Sequence, residues 1–293
     1  FHRKNHFDFE LQEKGLLMLY QTPGVEHEEM EGAALANQAG IEAHVLNARE
    51  VQDLNPGATV NVRGGVFFPG DAHVNPNKLM AGLKKHLVEN GVIFRQNQEV
   101  KGFEIRNRRV TGVVTAQEKL VFDEIVVAAG AWSAQLTAKL GFALPLQGGK
   151  GYSFVLAGEA PRVTIPSILL EARATATPMG GALRCAGTME IAGIDLSVNM
   201  KRVQGIVNGI NRFYPDLHVK TPEKTAVWSG LRPCSPDGLP FIGRLPTLEN
   251  VTLATGHGMM GLSLGAATGK LVSELVMREK VSMPVEGFTP NRF

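Results

Sequence analysis

Apolar and polar residues alternate with different periods along this chain. Residues 11–70 mix short apolar runs with breakers. GLLMLY (15–20) predicts a buried strand. EHEEMEGAALANQAG (26–40) predicts a helix, acidic in its first turn and closed by Gly40, and REVQDLNP (49–56) a short helix stopped by Pro56. HVNPNKLMAGLKKHLVENGV (73–92) is the clearest helix signal. Asn75 suits the N-cap and Pro76 the first helical position; Leu79, Leu83 and Leu87 recur at helical spacing, and Gly91 ends the run. VIFRQNQEV then predicts a strand and FEIRNRRVTGVVT a hairpin. IVVAAG, a continuous β-branched run ending in glycine, predicts a strand buried on both faces.

Residues 144–228 read differently. YSFVL and ALRCAGTME alternate with Gly/Pro turns around one helix, MKRVQGIVNGINRFYP (200–215), which predicts a mostly antiparallel sheet. GLRPCSPDGLPFIGR (230–244) reads as a rigid apolar loop, since six of its fifteen residues are Gly or Pro. NVTLATGHGMMGLSLGAATGKLVSELV (250–276) predicts a strand, a Gly-rich turn and a long helix with Leu264, Ala267, Leu271 and Leu275 on its buried face. The fold class is therefore α/β (α+β). Segments of an α/β layer, about 71–135 and 225–280, alternate with an antiparallel layer, and a chain crossing twice between two domains leaves a crevice for a ligand.

Composition narrows the function. At 293 residues, 44% hydrophobic and 20% charged, with a net charge of +2, the chain has the profile of an ordinary soluble protein of one or two domains. No basic stripe with interleaved aromatics points to a nucleic acid. Cys185 and Cys234 are too few for a disulfide framework, no apolar run approaches the roughly 20 residues of a membrane span, and no secretory signal is visible. A reducing, cytoplasmic location is expected, with peripheral attachment to the inner membrane left open.

Gly256, His257, Gly258, Met259, Met260 and Gly261 fit GxGxxG between a strand and a helix. The ribose-binding acid about 20 residues on, at the end of a second strand, is missing, because Glu274 falls inside the helix; a dinucleotide fingerprint is rejected. Two readings stay open for this turn: a helix N-terminus offering N–H groups to an anion or an electron-rich ring edge, or a tight turn without ligand. AAGAWS (128–133) carries the same ambiguity, with Trp132 as a core anchor in the plainer reading. Arg232, between Leu231 and Pro233, is either paired internally, with Asp237 as the candidate partner, or held for a ligand carboxylate that its planar fork would match. The histidines show no metal-ligand spacing, so no metal is expected. HExxH, GxSxG and a complete P-loop are absent.

Taken in order, HVNPNKLMAGLKKHLVENGV, VVAAGAWS, KGYS (150–153), GLRPCSPDGLPFIGR, TGHGMMGLSLGAATGKLVSELV and the terminal FTPNRF resemble the FAD-dependent D-amino-acid oxidase and dehydrogenase superfamily, nearest its D-amino-acid dehydrogenase and glycine oxidase branch. The resemblance implies non-covalent FAD and oxidation of the C–N bond of a small amino acid (a D-amino acid, glycine or a cyclic imino acid) by hydride transfer to flavin N5. It implies that Arg232 grips the substrate carboxylate and that Gly256 to Leu262 line the flavin ring. It also implies that Ala129, Gly130 and Trp132 stand beside the ADP half, that Val100 lies near the adenine, and that His73 and Tyr152 lie close to the ring. It divides the chain into an incomplete FAD-binding domain (71–143 and 225–293) and a substrate domain (1–70 and 144–224). Thr175 stands where glycine oxidases place a carboxylate-binding Tyr, and Gly230 where sarcosine oxidases attach flavin through Cys. The family's N-terminal βαβ unit has no counterpart before FHRK, so the resemblance implies an N-terminally truncated chain. Its rival is an FAD-free module that binds a carboxylate or a partner subunit. An electron acceptor is the other expected partner.

Overall fold

The computed structural model describes residues 8–156 and 162–293. In chain order its strands are β1 (Leu16–Tyr20), β2 (His44–Asn47), β3 (Gly64–Phe68), β4 (Val100–Arg106), β5 (Arg109–Thr115), β6 (Lys119–Leu120), β7 (Ile125–Val127), β8 (Gln147–Leu156), β9 (Ser167–Leu169), β10 (Ala174–Met179), β11 (Ala182–Ile191), β12 (Trp228–Cys234), β13 (Phe241–Arg244) and β14 (Val251–Thr255). The α-helices are α1 (Pro23–Gln38), α2 (Ala48–Leu54), α3 (Pro76–Glu89), α4 (Ser133–Lys139), α5 (Met200–Phe213) and α6 (Gly261–Met277). Two compact units result. Unit 1 holds the chain up to Phe94, Tyr152–Thr188 and Ser197–Ser229; unit 2 holds Arg95–Gly151, Met189–Leu196 and Gly230–Phe293. The segment 71–94, expected with the cofactor domain, is counted in unit 1.

Unit 1 is built on a mixed sheet whose full strand order is β12-β8-β11-β10-β9-β1-β3-β2. β1 runs antiparallel to β3 and parallel to β9, and β10 and β11 form a hairpin that sets Thr177 opposite Arg184. The strand pleat explains the packing. Tyr152, Phe154, Ala174, Ala176, Leu183 and Cys185 point to one face, where they meet Val203, Ile206, Val207, Ile210 and Phe213 of α5. Each fully buried aliphatic or aromatic side chain there is worth roughly 1.5–3 kcal/mol. Their neighbours Ser153, Thr175, Thr177 and Arg184 therefore emerge on the other, polar face.

Unit 2 contains two three-stranded sheets, β13-β14-β7 and β4-β5-β6. Its core gathers Val110, Val127, Leu140, Leu144, Phe241, Val251 and Leu253. Asn250, 1% exposed, joins the two sheets: its Oδ1 accepts from Val110 N at 2.9 Å and its Nδ2 donates to Val110 O at 3.0 Å and Asp123 O at 3.2 Å.

Several expectations are corrected. VIFRQNQEV forms no strand before Val100. β7 pairs with β14 alone among the described strands and leaves Val126 42% exposed, so it is an edge and not a strand covered on both faces. The helix α3 starts at Pro76 with Asn75 Oδ1 accepting from Lys78 N, but none of its residues is fully buried. GLRPCSPDGLPFIGR is not a loop throughout: it is the end of β12, a turn, and β13. β12 lies at the edge of its sheet, which is where a strand tolerates Pro233 and its missing N–H.

Candidate functional site

Unit 2 brings three of the sequence segments together. β7 and β14 are adjacent parallel strands, with Ile125 opposite Val251 and Val127 opposite Leu253. Both turns under suspicion therefore leave the same, carboxyl end of a parallel pair, the end at which open α/β sheets bind ligands. Gly130 (φ +55°) follows β7 and Gly256 (φ +84°) follows β14, each in a backbone region that favours glycine. The turns are tied: Thr255 Oγ1 donates to Gly130 O at 3.0 Å and accepts from buried Ser133 Oγ at 3.1 Å. Ala129 is the residue before this turn, and Trp132, 40% exposed, is not the core anchor of the plainer reading.

The turn after β14 opens directly into α6. A side chain at Gly256 would meet the Phe241 ring at 3.0 Å, whereas at Gly258 (φ +53°) the space within 4 Å is empty of protein atoms. No side chain caps α6, and its first N–H groups, at Gly261, Leu262 and Ser263, have no partner among the described residues. Met259, Met260 and Leu262 stand around them, all at least half exposed. His257 turns inward instead: its Nε2 lies 2.9 Å from Thr268 Oγ1, and burial holds its pKa below the usual value.

Arg232 reaches this turn through its own strand. Gly258 N donates to Pro233 O at 2.8 Å, and Cys234 forms an isolated antiparallel bridge with His257. The guanidinium lies across the backbone of β8. A Cβ on Gly151 would fall 2.6 Å from Nη2 and 2.7 Å from Cζ, and one on Gly149 would fall 2.7 Å from Cys234 Sγ. Gly149 thus leaves room for Cys234 and Met189, and Gly151 for the arginine. Burial works against its charge, with Cys234 opposing that effect. A guanidinium nonetheless stays protonated in proteins.

Asp237, the candidate internal partner of Arg232, belongs to a different arginine. Arg292 Nε donates to Asp237 Oδ2 at 2.8 Å and Nη2 to Oδ1 at 2.9 Å. Its remaining donors reach Leu239 O (2.8 Å), Pro240 O (3.2 Å) and Thr289 O (3.3 Å), so all five N–H groups of its fork are engaged. The fork also stacks 4.0 Å from the centroid of Phe241. Hydrogen bonding from Arg292 holds the Asp237 carboxyl well below the usual carboxylate range. This clamp makes the turn between β12 and β13 rigid. FTPNRF contains the signal for it, an arginine between Pro and Phe, which sequence reasoning read only as part of a family ending.

The other candidates lie elsewhere. Val100 opens β4, in the second sheet of unit 2, where its carbonyl accepts from Lys139 Nζ at 3.3 Å. Tyr152 belongs to unit 1; it is 1% exposed, and its hydroxyl accepts from Asn199 N at 3.3 Å at the start of α5. His73 also belongs to unit 1. Its Nε2 donates to Pro178 O at 2.9 Å, its buried Nδ1 has no partner among the described residues, and burial lowers its pKa. It borders two cavities of about 370 and 230 Å³, the smaller also lined by Thr175 and Thr177. Sequence reasoning passed over Lys150, 1% exposed, whose Nζ lies 2.6 Å from Asp195 Oδ2. No cluster of metal-ligand type occurs among the described residues, and no helix among them is long and apolar enough to cross a membrane.

The D-amino-acid oxidase of Bradyrhizobium diazoefficiens is 32% identical over 266 residues, covering 89% of this chain and 62% of that protein. The D-amino acid dehydrogenase of Helicobacter pylori is 28% identical over 273 residues, covering 93% of this chain and 65% of that protein. The chain thus spans less than two thirds of the length of these relatives. Among solved structures, glycine oxidase from Geobacillus kaustophilus superposes with a TM-score of 0.89 at 25% identity, covering 100% of this chain and 78% of that one. L-proline dehydrogenase from P. horikoshii shares the fold at a TM-score of 0.87 and 22% identity, over 100% of this chain and 80% of that one. The family model described as DAO, FAD dependent oxidoreductase, matches residues 1–275, and the chain belongs to that family.

Proposed function

We propose that this chain carries the substrate-anchoring and ring-facing parts of an FAD-dependent amino-acid oxidoreductase, with Arg232 gripping the substrate carboxylate. The observation that carries the reading is the course of β12. It lays Arg232 over Gly151 of β8, and two residues later it bridges to His257 in the turn that opens α6. The relatives' names (D-amino-acid oxidase, D-amino acid dehydrogenase, glycine oxidase) support a small amino acid as substrate and its C–N bond as the bond oxidised.

The residues present fit the ring-bearing part of FAD. Gly258 leaves its surroundings clear, Met259, Met260 and Leu262 supply exposed apolar contacts, and the uncapped start of α6 supplies N–H donors and a partial positive charge for an acceptor edge. Ala129, Gly130 and Trp132 would border the cofactor from the neighbouring turn. When bound, FAD supplies the two-electron acceptor. What the chain itself does is positional. The Arg232 fork fixes the carboxylate in one orientation, and that orders the Cα–H bond relative to whatever accepts from it. Half-buried His257, with its pKa lowered by burial, ties the turn to Thr268 in α6. Arg292 keeps the turn carrying Asp237 from moving.

The test is the visible absorption spectrum of the purified chain with added FAD, followed by anaerobic addition of D-alanine, glycine or proline. A flavin spectrum that bleaches supports the reading. A flavin spectrum that no amino acid bleaches sinks the assignment of substrate class. A colourless chain that still binds carboxylates would move the assignment to a binding module without cofactor.

A further inference from the structure

We propose that unit 2 carries a site for a soft monovalent metal ion of the copper(I) class, held between Cys234 Sγ and Met189 Sδ. The site does not depend on the reading of Arg232.

The argument begins with the order of strands. β8 lies between β12, which ends in Cys234, and β11, which carries Met189. Neighbouring strands are about 4.8 Å apart, so the outer two stand roughly 9.5 Å from each other. An ordinary side chain on the middle strand keeps its flanking neighbours apart on that face. Gly149 has none: a Cβ there would fall 2.7 Å from Cys234 Sγ and 2.9 Å from Met189 Sδ. The two sulfurs therefore reach over the backbone of β8 and meet at 3.9 Å. Gly149, Met189 and Cys234 all belong to unit 2. Met189 is 49% exposed and Cys234 partly so, which leaves the pair open to an ion from solution; Cys185 is fully buried in the core of unit 1 and cannot compete for it.

The two ligands set the class of ion. A thiolate with a thioether selects copper(I) and its congener silver(I) over ions that prefer oxygen. No group of three His, Cys, Asp or Glu side chains stands together among the described residues, so zinc lacks the four ligands that it usually takes. Taking about 2.3 Å, the zinc–sulfur length, for each metal–sulfur bond, a 3.9 Å sulfur separation closes at a sulfur–metal–sulfur angle of about 115°. That is near the trigonal angle and leaves a third position for a small ligand. Binding forms one metal–thiolate and one metal–thioether bond and breaks the Cys234 S–H bond. The proton, which Sγ otherwise donates to Arg232 O at 3.5 Å, goes to solvent, and no electron changes hands.

The test is anaerobic titration of the full chain with copper(I) in competition with bathocuproine disulfonate, whose colour reports the share that it keeps. One ion per chain is expected. Met189→Leu keeps the thiol and should still weaken binding at least about tenfold, since even residues behind the ligands alter metal affinity by about 10–100-fold. Cys234→Ala should lose the ion. Unchanged affinity in Met189→Leu overturns the proposal, because a single thiol would then suffice. Retention of copper(I) by Cys234→Ala overturns it as well, by placing the ion elsewhere. Gly149→Ala keeps both sulfurs and sets a methyl group between them: a loss of tenfold or more supports the site, and unchanged affinity refutes it. Should these variants fail to fold, X-ray absorption at the copper edge of the unmutated chain decides. Two sulfur neighbours are expected, and one or none overturns the proposal.

Discussion

The helices α5 and α6 invert what their sequences promise. MKRVQGIVNGINRF intersperses Lys, Arg, Gln and Asn among its apolar residues, yet α5 buries Val203, Ile206, Val207, Gly209, Ile210 and Phe213 along one stripe. GLSLGAATGKLVSELVM is far more apolar, yet α6 buries only Leu271 and Glu274, and the glutamate earns its place by accepting from Ser282 N and Oγ at 2.9 and 3.1 Å. α5 also has a side-chain cap, Asn199 accepting from Lys201 N at 3.1 Å, and α6 has none. The first is a structural helix, whose pattern is set by the sheet beneath it. The second keeps its apolar residues and its N–H groups where the chain itself does not use them, beside two glycine turns. In α6, apart from Leu271, apolar character therefore lies on exposed surface and not in the core of unit 2.

The largest expected difference between the two is in stability. Phe213→Ala in α5 should cost about 3–5 kcal/mol, while Leu264→Ala in α6 should stay within about 0.5 kcal/mol, both read from urea unfolding at matched slopes. Equal costs would mean that the face of α6 is packed after all. Next comes function. In an FAD-loaded enzyme, Arg232→Ala should lower kcat/KM by about 10², since the charged contacts to the carboxylate are lost. Steady-state kinetics decide this, and an unchanged kcat/KM removes Arg232 from the site. A Cβ at Gly258 has no atom of a described residue beyond its chain neighbours within 4 Å, so reduced FAD uptake in Gly258→Ala beyond the cost of its positive φ, about 1–2 kcal/mol, would report the ligand directly; equilibrium dialysis with FAD reads it.

The smallest effect is a pH dependence. The Asp237 carboxyl has a folded pKa below its unfolded value, so its pairing with Arg292 stabilises the protein above about pH 4 and is lost as the pH falls below that. Arg292→Gln should flatten the fall in Tm between pH 5 and pH 2.5; a slope like that of the unmutated protein would deny the clamp a role in stability. The thiols offer a control. Burial pushes Cys185 up to about 12, so iodoacetamide at pH 8 should leave it unmodified in the native state and label it after denaturation.

Local signals carried much of the fold. Asn75-Pro76 placed the start of α3, and the Asn107-Arg108 turn of the β4–β5 hairpin, both residues at positive φ, was already visible as NR between two alternating runs. The features that were not legible depend on partners far away in sequence. Whether IVV is a central or an edge strand is decided by what pairs with it, not by its own residues. Leu264 and Ala267 have the spacing of a buried face, but spacing cannot say whether anything lies opposite. At the site, Asp237 and Arg232 are five residues apart and looked like partners, while the true partner of Asp237 is 55 residues on. Gly149 and Gly151 could have been read as a flattened stretch of strand, but only the structure shows that Arg232 lies over Gly151 and Cys234 over Gly149.

The close seat of Arg232 over Gly151 has a kinetic consequence. An arginine that is ordered by its own fold has already given up its rotamer freedom, about 2 kcal/mol on common scales, before any ligand arrives. Capture of a carboxylate then involves no slow rearrangement of the anchor. Association should follow a single exponential whose rate rises linearly with ligand concentration, and differences among ligands should appear in how long each one stays.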